Sequence, residues 1–265
     1  MKLLMVEEIK LFKNKVIINI NNLDEKIIDL INKVLNVINN SKIVLPREYC
    51  INISQEQDEI NFECDNKVFK ANKKNYLNIL ISLIEKIIGK YYFSLHGSCC
   101  TKDNKMYIFL GPKESGKSSL VTYLIMNGYT YVSDDVAILD NNKCISLFNP
   151  IYLDRKNMLL SLIDENNFTI FDTGWIKKGL IPNHLFLDDY EKIVFIMLKY
   201  EKNANNKLLK IESSHEKFDI IIKNIKECNS YDNCVLNSKR IIINSDIYFL
   251  SFNNFAKAMD AIKNA

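Results

Sequence analysis

The chain has 265 residues, of which 48% are hydrophobic and 25% are charged, a composition ordinary for a globular protein with a sizeable core. Its formal net charge is only +3 and no long block of one sign occurs, so the charge argues against binding to nucleic acid or to a membrane surface. No apolar run approaches about 18 residues, which excludes a predicted transmembrane helix.

The N-terminal residues and the cysteines indicate a cytoplasmic protein. Glu7 and Glu8 interrupt the first apolar run, and no signal-peptide core follows. The seven cysteines form no C-x-x-C pair, so we expect scattered reduced thiols rather than a disulfide framework or a metal site.

The first ninety residues predict a small α/β lobe. Residues 15–20 and 49–54 read as strands, and residues 59–72 read as a hairpin that turns at Asp65–Asn66. Apolar residues at helical spacing predict a helix over 23–38 and a second, strongly apolar one over 76–88. We expect this lobe, residues 1–90, to bind a substrate or partner.

From residue 91 onward the pattern predicts the main domain, 91–265. Its predicted strands and helices follow in chain order: strands over 91–100, 106–111, 129–135, 135–140, 144–148, 192–200 and 247–252, and helices over 117–126, 216–227 and 253–265. Residues 150–190 give no clear pattern.

A glycine-bounded turn follows the strand at 106–111 and opens the helix at Lys117. Its sequence, G-P-K-E-S-G-K-S from Gly111 to Ser118, fits the phosphate-binding pattern G-x-x-x-x-G-K-[S/T]. Gly116 can turn successive amides toward one point, and the helix adds the positive end of its dipole. We therefore expect Lys117 to reach the β and γ phosphates and the Ser118 hydroxyl to bind Mg²⁺.

Two adjacent carboxylates, Asp134 and Asp135, end the next predicted strand. One such group is the usual partner of the loop serine on Mg²⁺. Because neighbouring residues of an extended segment point in opposite directions, the second can accept a proton from an attacking hydroxyl. His96, followed by Gly97, lies near the end of the strand predicted over 91–100 and is a third candidate site residue.

These elements, HG, GxxxxGKS and the aspartate pair, resemble the catalytic domain of bacterial HPr kinase/phosphorylase over residues 91–140. The resemblance extends to the HPr-kinase-like serine kinases of peptide-modification gene clusters and, more distantly, to ATP-dependent phosphoenolpyruvate carboxykinase. It implies a P-loop kinase core, a mixed sheet flanked by helices, beside the small N-terminal α/β lobe.

The resemblance also implies roles for individual residues. Asp135 would bind Mg²⁺ with Ser118, Asp134 would be the base, and His96 and Lys117 would lie in the catalytic site. The implied ATP-binding residues are Gly111, Pro112, Lys113, Glu114, Ser115, Gly116, Lys117, Ser118 and Ser119.

The chain departs from HPr kinases proper downstream of the aspartates. Their E-[I/V]-R-G-x-G segment has no counterpart between Val136 and Tyr190. Arg155, Lys177 or Lys178 could supply the missing cation near the transferring phosphoryl group, and Arg155 is the leading candidate.

The predicted function is an ATP- and Mg²⁺-dependent kinase that phosphorylates a hydroxyl, first of all a serine of a peptide or protein. A small-molecule hydroxyl as acceptor and an ATPase switch without acceptor are the alternatives. The sequence leaves the oligomeric state open.

Overall fold

The computed structural model describes residues 6–140, 143–172, 177–185 and 190–265. It is an α/β protein with several sheets. None of the helices in the described part of the chain is both long and apolar enough to cross a membrane.

The strands and helices have the following bounds. The strands are β1 (Val6–Leu11), β2 (Val16–Asn21), β3 (Tyr49–Glu56), β4 (Glu59–Cys64), β5 (Lys67–Asn72), β6 (Phe93–Leu95), β7 (Gly97–Lys102), β8 (Lys105–Leu110), β9 (Thr130–Ser133), β10 (Ala137–Asp140), β11 (Lys143–Ile145), β12 (Ile151–Asp154), β13 (Phe168–Asp172), β14 (Lys177–Pro182), β15 (Lys192–Tyr200), β16 (Lys207–Lys210), β17 (Ile225–Glu227) and β18 (Asp246–Phe252). The helices are α1 (Glu25–Ile38), α2 (Tyr76–Gly89), α3 (Lys117–Met126), α4 (Ser214–Lys223), α5 (Tyr231–Asn244) and α6 (Phe255–Ile262), with a 3₁₀ turn at Met158–Ser161.

The first five strands form one sheet in the order β1-β2-β3-β4-β5, and this sheet with α1 and α2 is called the N-terminal lobe. Residues Asp65 and Asn66 both have positive φ, as the two-residue hairpin between β4 and β5 requires. Buried apolar side chains of α1 and α2 pack with those of the sheet, and this cluster continues past residue 90 to Val136, Ile138 and Leu147. The division of the chain near residue 90 stays a prediction.

The main sheet has six strands in the order β16-β18-β15-β8-β7-β9. Strand β8 runs parallel to β15, and β7 runs antiparallel to both β8 and β9. The ends of β8 and β9 and the beginning of β7 therefore lie at one edge of the sheet, where Gly97 pairs with Leu110. The residues of the predicted phosphate loop follow the end of β8, the two aspartates follow the end of β9, and His96 precedes β7.

Two smaller sheets complete the fold, one in the order β11-β10-β6-β17 and one in the order β12-β14-β13. Strand β17 pairs with β6, and the residue that follows β6 is His96. The strand β17 consequently lies beside the edge of the main sheet that carries the site.

Most of the predicted elements are present, and two predictions need correction. The single strand expected over 91–100 is two strands, β6 and β7, which belong to different sheets because the chain changes direction at His96. The helix expected over 216–227 ends at Lys223 and gives way to β17. Strands β1 and β16, helix α5 and the sheet β12-β14-β13 were not predicted.

Candidate functional site

The loop from Gly111 to Gly116 has a backbone that only glycine suits at both of its ends. Gly111 has φ +144° and Gly116 has φ +88°, both in the range that favours glycine. A Cβ atom on Gly111 would lie 2.9 Å from the Leu198 carbonyl oxygen, and one on Gly116 would lie 2.9 Å from Cζ of Phe252. Both positions of the motif thus require glycine for conformation and for space.

The loop places unpaired backbone N–H groups at the beginning of α3. Within the described residues, the amides of Glu114, Gly116 and Lys117 donate to no protein acceptor. Lys117 is 7% exposed, and its Nζ donates to the carbonyl oxygens of Gly111 at 2.7 Å and Pro112 at 3.0 Å. Burial lowers the pKa of Lys117. Free amides, a helix N-terminus and a buried lysine together suit a polyphosphate.

Asp134 lies at the centre of the site. It is 2% exposed, and its Oδ1 accepts from Oγ of Ser118 at 3.1 Å and from Oγ of Ser98. Burial raises the pKa of Asp134, and the two hydroxyl donors only partly offset that effect. A buried carboxylate beside a loop serine is a suitable pair of oxygen ligands for Mg²⁺.

Asp135 faces a different set of groups. It has φ +66°, and its side chain is 58% exposed. His96 Nδ1 lies 3.1 Å from its Oδ1, and Lys226 Nζ lies 2.9 Å from its Oδ2. The hydrogen bond with His96, followed by the charge of Lys226, holds the pKa of Asp135 well below its ordinary value. The two adjacent carboxylates therefore differ in exposure and partners.

Lys226 connects Asp135 to the N-terminal lobe. Its Nζ lies 2.9 Å from Oε2 of Glu85, which is on α2 and only 8% exposed. The other Glu85 oxygen accepts from Nδ2 of Asn149 at 2.7 Å. Burial raises the pKa of Glu85. Although burial acts in the opposite direction, the charges of Glu85 and Asp135 raise the pKa of Lys226.

Asn224 joins the loop to the histidine. Its side-chain oxygen accepts from the Gly111 amide at 3.1 Å, and its carbonyl oxygen accepts from the His96 amide at 2.7 Å. Asn224 is 6% exposed. The segment from Asn224 to Lys226 therefore holds three of the predicted site residues, namely Gly111, His96 and Asp135.

Comparison with models of known protein families gives no match, and no curated protein matches the sequence. Among solved structures, the chain is similar to that of the HPr(Ser) kinase/phosphatase from Coxiella burnetii, at 14% identity and a TM-score of 0.33. The similarity covers 64% of this chain and 88% of that chain. A TM-score of this size establishes no shared fold.

The structure brings most of the predicted site residues together. The contacts described above link five of them, namely His96, Lys117, Ser118, Asp134 and Asp135. The serine hydroxyl contacts Asp134, whereas the family resemblance assigns the metal to Asp135.

The remaining residues of the loop differ in exposure. Pro112, Lys113 and Glu114 are exposed, whereas Ser115 is buried. Ser119 accepts a hydrogen bond from Nδ2 of Asn157 at 2.8 Å.

The predicted cations lie in the sheet β12-β14-β13 and the turn after β12. Arg155 forms an ion pair with Asp172, and Lys178 Nζ lies 3.1 Å from the same carboxylate. The side chain of Lys177 lies outside the described residues. Among the described side chains, Lys226 is a cation that contacts an aspartate of the site, Asp135, and sequence reasoning missed it along with Glu85 and Asn224.

Proposed function

We propose that the protein is an ATP- and Mg²⁺-dependent kinase that phosphorylates a hydroxyl group, of which a serine in a peptide or protein is the first candidate. The contact that carries the proposal is the 3.1 Å hydrogen bond between Ser118 Oγ and Asp134 Oδ1, at the N-terminus of α3. It joins a complete phosphate-loop motif to a strand-end carboxylate, which is the ligand pair that Mg²⁺ uses in phosphate-loop enzymes.

The loop residues fit the phosphates of ATP. The free amides of the loop and Nζ of Lys117 would bind the β and γ phosphates, for which Lys117 would leave its two loop carbonyls. Ser118 and Asp134 would hold Mg²⁺, whose charge would neutralise that of the phosphate oxygens.

The second carboxylate fits the acceptor side. Asp135 is exposed, kept ionised by His96 and Lys226, and separate from the Ser118–Asp134 pair. The acceptor oxygen would form a bond to the γ phosphorus as the bond to the bridging oxygen of ADP breaks, and Asp135 would take the hydroxyl proton. This proposal exchanges the roles of Asp134 and Asp135 that the family resemblance implies.

The test combines transfer and binding. The protein is incubated with γ-labelled ATP, Mg²⁺ and a random library of serine- and threonine-containing peptides, and labelled peptide is separated from free phosphate. Labelled peptide supports the proposal. Label in added small alcohols, or free phosphate alone, would favour a small-molecule kinase or an ATPase switch. No turnover with any acceptor or water contradicts the proposal.

Two variants then separate the aspartates. Asp134→Asn is expected to weaken Mg²⁺-dependent ATP binding, whereas Asp135→Asn should bind ATP normally and lose transfer. If Asp134→Asn binds Mg²⁺–ATP normally but loses transfer, the roles implied by the resemblance are the correct ones.

A further inference from the structure

We propose that Lys226, anchored by Glu85 of α2, is a positioning residue that holds Asp135 in place for the transfer, so that the N-terminal lobe completes the catalytic site. The inference rests on the proposed function and adds to it a cation and a role for the lobe.

Lys226 uses all of its donors within this cluster. An ammonium group has three N–H donors. The Nζ atom lies 2.9 Å from Oε2 of Glu85, 2.9 Å from Oδ2 of Asp135 and 3.2 Å from the Asp135 carbonyl oxygen. Two of these contacts hold the same residue by its backbone and its side chain.

These two contacts matter because the backbone of Asp135 has an unusual conformation. Its φ of +66° is uncommon for a residue that is not glycine and is retained only where neighbouring groups favour it. His96 Nδ1 lies 3.2 Å from the Asp135 carbonyl oxygen, on which Lys226 also converges. Without Lys226, we expect the Asp135 carboxylate to sample several orientations.

Glu85 explains why Lys226 stays in place. Its carboxylate is 8% exposed and is bound by both Lys226 and Asn149. A carboxylate so deeply buried needs a paired cation, and it holds that cation more firmly than a surface partner would. Because Glu85 belongs to α2, a residue of the lobe determines the geometry of a carboxylate in the main domain.

The experiment compares four variants with the wild-type protein. Lys226→Met removes the cation, and Lys226→Arg preserves it. Because Lys226→Met leaves Glu85 buried without its cation and can fail to fold, the double variant Glu85→Gln/Lys226→Met removes both charges together. Lys223→Met is the matched control, since Lys223 is exposed and pairs with Asp219 one helical turn away.

The readouts are the melting temperature, kcat and the KM for ATP, with the acceptor found in the library or with water where only hydrolysis occurs. The double variant is expected to fold and to lose about 10- to 100-fold in kcat, the size of effect that misplacing a catalytic group by about 1 Å produces. Its KM for ATP should stay within about threefold of wild type, because the phosphate loop is intact. Lys226→Arg should recover activity, and Lys223→Met should match wild type.

The possible failures are distinguishable. A wild-type protein that neither transfers nor hydrolyses phosphate contradicts the proposed function and this inference with it. An active wild type with an equally active double variant contradicts this inference alone. A loss of kcat that Lys226→Arg does not recover, or that accompanies an equal loss of ATP affinity, would also overturn the positioning role.

Discussion

At the scale of the residue, the site depends on two neighbouring carboxylates that the fold places in opposite environments. Asp134 is buried against two serine hydroxyls, whereas Asp135 is exposed and bound by His96 and Lys226. The same type of side chain therefore has a raised pKa at Asp134 and a lowered pKa at Asp135, because burial dominates at the first and neighbouring groups dominate at the second.

The buried aspartate should reduce the stability of the protein in the absence of Mg²⁺. Burial raises the pKa of Asp134, so the folded state binds its proton more tightly than the unfolded state does. The contribution of Asp134 to stability is therefore greatest below the ordinary aspartate pKa and is lost as the pH rises through its folded pKa. We expect Asp134→Asn to raise the Tm at pH 7 by about 2–4 °C, the shift that about 1 kcal/mol gives in a chain of this size.

The measurement is a series of thermal melts without nucleotide or metal. The series begins at about pH 4, which is close to the ordinary pKa of aspartate, and continues to higher pH. The difference in Tm should disappear at the lowest pH. Asp58→Asn is the control, because the Asp58 side chain is 99% exposed. An equal or lower Tm for Asp134→Asn at pH 7 would show that ionised Asp134 is well stabilised by its two serines.

The loop serine gives a second prediction at this scale. Ser118→Ala removes one proposed Mg²⁺ ligand while the loop amides stay in place, so Mg²⁺ should bind about 10- to 100-fold more weakly. Titration of activity with Mg²⁺ at saturating ATP measures the change. Ser161→Ala, in an exposed turn, is the matched control. Unchanged Mg²⁺ dependence would contradict the role of Ser118.

At the scale of the element, the junction between β8 and α3 depends on two glycines with different demands. Gly116 begins α3 in a left-handed conformation with Phe252 against it, whereas Gly128, just beyond the end of α3, has φ +83° in open space. An added Cβ at Gly128 would meet only Nζ of Lys102, at 3.5 Å. Replacing glycine is therefore unfavourable at both positions because of the backbone conformation, but an added Cβ atom would be crowded only at Gly116.

This pair of glycines allows a matched experiment. Gly128→Ala should cost about 1–2 kcal/mol of unfolding free energy through its φ alone and leave ATP binding intact. Gly116→Ala should cost more and abolish ATP binding, since the loop must move away from Phe252. Urea unfolding and binding of a fluorescent ATP analogue measure the two effects. Normal ATP binding by Gly116→Ala would mean that the loop tolerates displacement.

At the scale of the whole molecule, the lobe and the main domain share buried side chains as well as the Glu85–Lys226 ion pair. The apolar cluster of the lobe includes Val136, Ile138 and Leu147 from beyond residue 90. A truncation at this point would expose those side chains to water. We therefore expect the lobe and the main domain to unfold together.

A core substitution tests that cooperativity. Ile138, which is 1% exposed, contributes to the cluster from the main domain, and Ile138→Ala should cost about 2–5 kcal/mol. In calorimetry we expect one unfolding transition, and its Tm should fall as a whole in the Ile138→Ala variant. Ile243→Ala, at a position 69% exposed, should have little effect. Two transitions, of which only one moves, would show that the parts unfold independently.

The sequence predicted the elements whose apolar residues recur regularly, such as α1, α2, β8 and β15, because burial on one or both faces produces that pattern. Helix α5 was missed because the side chains of Tyr231, Leu236 and Ile243 are exposed and blur the helical period. The change of sheet at His96 was missed because buried strands on both sides read as one apolar run.

The motif residues of the site were predictable because the loop and the aspartates are near each other in the chain. Lys226 and Glu85 were not, because their proximity is a product of tertiary packing between distant segments. One signal was present for Glu85, which is the lone carboxylate of the mostly apolar helix α2 and one of its buried residues. A charged residue on a buried helix face requires a partner, although the sequence does not name it.

The apolar cluster that crosses residue 90 also limits how the N-terminal segment could be exchanged for that of another protein. Exchanging the first ninety residues for those of a distant homologue would need compensating changes at Val136, Ile138 and Leu147, and a cation facing position 85. Recombination at the apparent boundary is therefore disfavoured, because a new N-terminal segment would have to match the rest of the chain both in apolar packing and in charge.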